Sequence, residues 1–251
     1  MDAQVLELSN PDCWPPALRE VLERLRPVLK AWELDLLGKS AKDFDRAMDE
    51  LRAALQPYDL RGYHFTRLTE SEAQHIRENG MEPLSRQLVE RRIASLISQG
   101  VLSQMQADRL LAHNQVADGN RRGQMWACFY PPLVARESGI RPLLEHWGGE
   151  ALYNFNAEDP ELGPVLRGIG KPAVVEIDVP ISTLGPYNGL ELMISKLEVA
   201  HVTGSTIQHP IRFEAYSTQR LDADKVHRVV MHPEDEFFVL TGADRWASPL
   251  K

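Results

Sequence analysis

Cysteine is nearly absent from this chain of 251 residues, which holds only Cys13 and Cys128. One widely separated pair is no disulfide framework, and neither residue sits in a CxxC or Cys/His spacing that would bind zinc, so no metal is expected. Long apolar runs are missing as well. No membrane span is expected, and the opening MDAQVLELSNPDCWPP lacks the basic-then-apolar layout of a secretory leader, which makes the cytoplasm the expected compartment. Positive charge is in deficit: the formal net charge is −8, which disfavours broad, non-specific phosphate binding. Arginines nonetheless cluster at Arg86, Arg91 and Arg92 and at Arg121 and Arg122, enough for a local basic cleft. The motifs GxSxG, HExxH, GxGxxG and the EF-hand loop do not occur. Gly163 to Ile169 has the two glycines of a phosphate loop, but Lys171 comes two residues too late. His232 to Glu236 carries metal-friendly side chains around Pro233 and reads as a solvated turn. There is no internal repeat and no low-complexity tract.

The residues that are present describe a soluble fold with 43% hydrophobic content, sufficient for a sizeable core. From Pro15 to Pro57, Leu18, Val21, Leu22, Leu25, Val28 and Leu29, then Phe44, Met48, Leu51 and Leu55, recur at helical spacing around a Gly38-Lys39-Ser40 turn. This predicts a helical hairpin, and residues 1–58 are read as a helical N-terminal extension to a domain spanning 59–251. GYHFT, residues 62–66, is a strand with Tyr63 and Phe65 on one side and Gly62, His64 and Thr66 on the other. Thr69 and Glu72 form a capping box that opens a helix, which Gly80 stops. Ser85 to Asn114 is helical in two pieces, with a second box at Ser103 and Gln106. Met125 to Tyr130 is a buried strand, and Ile140 to Phe155 is helical in part, broken at Gly148-Gly149. Beyond Pro172, AVVEIDV, LMISKLEVAHVTG, IRFEAYS, HRVVMH and EFFVL all look strand-like. Helices first and strands later make the class α+β.

Two strands divide polar from apolar side chains. One is GYHFT. In the other, Ile211, Phe213 and Ala215 face one way and Arg212, Glu214 and Tyr216 the other. If both polar faces line one cleft, they assemble a histidine, a hydroxyl, a carboxylate and an aromatic ring. His64-x-Thr66, a short helix and then Gly80-x-x-Pro83 resembles the entry of ADP-ribosyltransferase folds, chiefly the DarT-type bacterial enzymes among the poly-ADP-ribose polymerase-like group. Arg121-Arg122 before MWACFY, and FEAYSTQRLDADKVHRVVM near the end, fit the later elements of that pattern, over roughly residues 60 to 240.

The resemblance implies a split antiparallel sheet and an enzyme that moves ADP-ribose from NAD to a macromolecule, either DNA or RNA or protein, releasing nicotinamide. It implies Glu214 as the catalytic carboxylate, with Glu198 and Glu176 as rivals for its place. It implies His64 and Thr66 on a ribose hydroxyl, Arg122 (or Arg121) on the pyrophosphate, and Tyr153 or Tyr130 on the nicotinamide ring. A toxin of this kind would have a neutralising antitoxin as partner. Each residue also has an ordinary reading: His64 as a core histidine, Glu214 as a solvated strand residue, the tyrosines as core aromatics and Arg122 as a surface charge. A non-catalytic binding protein on the same fold is the alternative function.

Overall fold

The computed structural model describes residues 4–186, 188–205 and 213–250. Its class is α+β. The six strands are β1 (Val5–Leu6), β2 (Asp59–Leu68), β3 (Met125–Cys128), β4 (Lys171–Pro180), β5 (Glu214–Ser217) and β6 (Val226–Met231). They form one sheet in the order β5-β3-β2-β4-β6, with β1 beside the start of β2. All of these pairs are antiparallel except β1 with β2. The expected split is therefore not a break into two sheets. The pairings within it are unequal: β2 and β4 pair along ten positions, whereas β2 and β3 meet only at Tyr63 and Cys128, a weak seam.

The N-terminal hairpin consists of α1 (Pro16–Glu33) and α2 (Ala41–Leu55), each burying a leucine-rich stripe at helical spacing. Leu18, Leu22, Leu29, Leu51 and Leu55 belong to the same core as the sheet residues Leu60, Val174 and Ile177, and β1 supplies a strand from before the hairpin. Both helices pack on α9 (Leu190–Thr203), through Arg26 to Glu198, Arg52 to Glu191 and Ser195 to Glu33.

After β2 the chain turns into α3 (Glu70–Asn79), and the predicted capping box at its head is formed. Next come α4 (Arg86–Ser98) and α5 (Gln104–Ala112), the latter opened by the second box. Three helices lie between β3 and β4: α6 (Pro132–Glu145), α7 (Glu150–Asn156) and α8 (Leu162–Gly168). Val89, Ile93, Leu110, Trp147, Leu152 and Leu166, from α4, α5, α7, α8 and the turn before α7, form a second core of their own.

Two expected strands are helices. LMISKLEVAHVT lies in α9, and EFFVL lies in α10 (Asp235–Thr241). α9 buries Leu190, Ile194, Ser195, Leu197, Glu198 and Val199, so its apolar residues spread round the helix instead of marking one stripe. α10 has seven residues, too few to display a helical period. Of the predicted strand IRFEAYS, Glu214 to Ser217 is β5, and Ile211 and Arg212 lie outside the described residues.

Candidate functional site

Paired residues in adjacent strands share a face of the sheet, and faces alternate along each strand. Tyr63 pairs with Cys128 and Glu176, Cys128 with Glu214, and Glu176 with Arg228. Glu214, Cys128, Tyr63, Glu176 and Arg228 thus form one row across five strands, all on one face. Trp126 and Tyr216 are the next residues on that face of β3 and β5, paired with each other. His64 and Thr66 point to the opposite face. Gly62, on their side, confirms the parity: a Cβ there would stand 2.9 Å from Phe129 Cε1 and 3.3 Å from Ala127 Cβ.

The single cleft expected for His64, Thr66 and Glu214 is therefore not formed. The seam shows what His64 does instead. Its Nδ1 lies 2.8 Å from the carbonyl oxygen of Trp126, so the ring donates there and keeps its proton on Nδ1. The imidazole takes a carbonyl just where the β2–β3 ladder ends. Burial, seconded by the nearby charge of Arg92, holds the ring below the usual histidine range against the pull of that carbonyl. Thr66 is buried, and its hydroxyl donates to the Arg67 carbonyl at a long 3.4 Å.

The three candidate carboxylates separate cleanly. Glu176 is 3% exposed and held by Arg61 and Arg228, each at 2.5 Å. Glu198 is buried and accepts from Arg26 Nε at 2.9 Å. Glu214 is exposed and has no ion pair among the described residues. Its neighbours on the same face are aromatic: Trp126 is 43% exposed, Tyr216 is half-buried, and their rings lie 5.0 Å apart at 54°. Cys128 stands between Glu214 and Tyr63, where burial, with the Glu214 charge adding to it, pushes its thiol up.

The remaining expected residues lie elsewhere. Tyr130 is 3% exposed, its hydroxyl has no partner among the described residues, and burial raises its pKa. Tyr153, on α7, packs in the second core with its ring 5.2 Å from His146, and burial pushes its hydroxyl up to about 12. Arg122 is exposed on the turn before β3, while Arg121 is tied to Glu150 at 3.1 Å. Among the described residues, none of these four has a hydrogen bond, ion pair or ring contact with Glu214 or with the Trp126–Tyr216 pair. The aromatic pair beside Glu214 was visible only as two residues of strand pattern, because nothing local in MWACFY or EAYS says that the strands are neighbours.

Two surface hollows stand out among the described residues. One, of about 150 Å³, lies between Arg52, Ile181, Gly185 and Glu191; the other, of about 390 Å³, lies between Trp14, Arg19, Arg26 and His201. Neither is lined by His64, Glu214, Trp126 or Tyr216. No helix among the described residues is long and apolar enough to cross a membrane. Comparison with known protein families, with curated proteins and with solved structures finds no match.

Proposed function

We propose that the protein is a mono-ADP-ribosyltransferase that takes ADP-ribose from NAD, with the nicotinamide end of NAD on the face of β3 and β5 that carries Glu214. The observation that carries this reading is the juxtaposition on one sheet face of an exposed carboxylate, unpaired among the described residues, with an aromatic pair of which Trp126 is exposed and Tyr216 half-buried. Cleavage of the nicotinamide–ribose bond passes through an oxocarbenium-like state, in which a carboxylate opposes the developing positive charge. The bond's electron pair leaves with nicotinamide, and an oxygen or nitrogen of the acceptor adds to the ribose carbon and gives up its proton to solvent. Trp126 and Tyr216 offer the flat apolar surface that a nicotinamide ring needs. His64 then acts from behind the strand, holding the Trp126 carbonyl rather than touching ribose. The β2–α3 entry closed by Gly80 and the weak β2–β3 seam support an ADP-ribosyltransferase-like fold. The acceptor is a nucleic acid or a protein, and a toxic activity would call for a neutralising partner.

The test is nicotinamide release from NAD by the intact chain and by Glu214→Gln, with and without bacterial lysate. Release lost in Glu214→Gln supports transfer at this face. Release that survives in the variant refutes the role of Glu214.

A second reading is a non-catalytic binding protein. It is favoured by the absence of His64 and Glu214 from both hollows, since a nucleotide of this size is usually gripped in a cleft. It predicts no release from either form, with NAD binding unchanged by the substitution.

A further inference from the structure

We infer that Gly185 is a positioning residue: it seats the Tyr216 ring against Trp126 and so shapes the aromatic face beside Glu214. The inference rests on the reading of that face as the nicotinamide site. Gly185 lies in the turn between β4 and α9, which runs beside β5. It lacks the positive φ that calls for glycine in a turn, so its missing side chain answers a need for space. A Cβ on Gly185 would stand 2.4 Å from Cζ, 2.5 Å from Cε2 and 2.8 Å from the hydroxyl oxygen of Tyr216. The outer end of the Tyr216 ring therefore rests on bare backbone at Gly185, and the ring packs against Trp126 at 5.0 Å.

The turn that carries this seat is fixed to β5. Gly185 N–H donates to the Tyr216 carbonyl at 2.8 Å, Leu184 bridges Ser217, and the Ser217 hydroxyl donates to Thr183 Oγ1 at 3.0 Å. Asn188 Nδ2 donates to the Gly185 carbonyl at 2.9 Å, and Asn188 Oδ1 accepts from the Leu190 N–H at 2.9 Å, which ties the turn to the head of α9. With the backbone held at these points, a methyl group at position 185 displaces the ring and not the turn. The atoms it meets are the free end of a side chain that can swing about χ1. A swing takes Tyr216 out of its packing with Trp126, and the flat surface offered to nicotinamide shrinks to Trp126 alone.

The experiment is a double-mutant cycle in the full chain: the parent, Gly185→Ala, Tyr216→Ala and the double variant. Each is assayed for nicotinamide release over a range of NAD concentrations, and the Tyr216 ring protons are followed by NMR where the ring is present. Gly185→Ala is expected to fold, to shift the Tyr216 ring signals and to raise KM for NAD by about two- to tenfold, the loss of one aromatic contact, with kcat changed less. In the Tyr216→Ala background the same substitution is expected to change neither constant, because the ring it acts on is gone. An effect that persists there overturns the positioning role. Unmoved ring signals in Gly185→Ala, or moved signals with an unchanged KM, overturn it as well. A parent that releases no nicotinamide refutes the reading of the face and takes the functional role of Gly185 with it; the ring signals separate that failure from a failure of the seat. Should Gly185→Ala fail to fold, adding Tyr216→Ala must restore folding, and a double variant that stays unfolded overturns the contact.

Discussion

Removing Glu72 should loosen the protein at one identifiable joint. Its carboxylate receives the Thr69 backbone N–H, Arg92 Nε and the Trp147 indole, so a single side chain caps α3 and ties the sheet core to the helical core. Glu72→Ala loses the capping interaction, worth about 1 kcal/mol. It also strands a partly buried arginine. A fully buried broken pair costs about 3–5 kcal/mol, but with 22% of the Arg92 side chain and 16% of the Glu72 side chain exposed, solvent screening brings this nearer ~2–3 kcal/mol. The total, about 3–4 kcal/mol, corresponds to a Tm lower by roughly 6–16 °C for a chain of this size. Acidity gives an independent check. Burial alone would raise the Glu72 pKa, but the Arg92 charge and its hydrogen bond, the Thr69 N–H and the Trp147 indole outweigh it, and the net displacement is downward. A carboxylate depressed in the folded state adds stability above its unfolded pKa of about 4.3, and that stability fades as pH falls through the folded value. The gap between the parent and Glu72→Gln should therefore be full at pH 7 and close in acid. Urea unfolding followed by tryptophan fluorescence at pH 7 and at low pH measures both. A loss under about 1 kcal/mol, or a gap that does not change with pH, refutes the joint as described.

Glu176 sits between Arg61 and Arg228 with 4% of its side chain exposed; Glu176→Ala leaves Arg61 to Asp178 and Arg228 to Glu236, removes two buried charge-assisted bonds and should destabilise by about 1–3 kcal/mol. Equilibrium unfolding checks this, and a neutral substitution would mean that Asp178 and Glu236 compensate the two arginines by themselves. Gly62→Ala should cost about 1–3 kcal/mol, because the added methyl meets the Phe129 ring at 2.9 Å and overpacks the seam. Combining it with Phe129→Leu should recover part of that loss in the same assay, and no recovery would place the strain elsewhere.

Much of the architecture was legible because its signals are local. The boxes at Thr69/Glu72 and Ser103/Gln106 formed as read, since a side chain three residues from its backbone partner needs no tertiary help. The hairpin of α1 and α2 was legible from its leucine stripe. The errors fell where tertiary packing erases the local signal. LMISKLEVAHVT is rich in residues that also favour strands, and burial against both α1 and α2 leaves α9 no clean polar face. Glu72 itself was legible only as a cap. That it also receives Arg92, twenty residues on, and Trp147, seventy-five residues on, follows from folding and not from spacing.

The candidate site failed to be legible for a more specific reason. Alternation shows that His64 and Thr66 share a side of β2, and that Glu214 and Tyr216 share a side of β5, but it says nothing about the phase between the two strands. That phase passes through β3. Odd-numbered Tyr63 pairs with even-numbered Cys128, and Cys128 pairs with even-numbered Glu214, so even residues of β2 and even residues of β5 end on opposite faces. A slip of one residue at the β2–β3 seam would have put His64 on the same face as Glu214, with Cys128 of β3 between them. The seam is the weakest pairing in the sheet, with a single residue pair, and it is the place where such a slip would be easiest. His64 favours the observed register, in which its ring reaches the Trp126 carbonyl at 2.8 Å. The histidine that stands out in GYHFT thus has a structural reason to be there, and the proposed transfer is assigned to the face that it does not share.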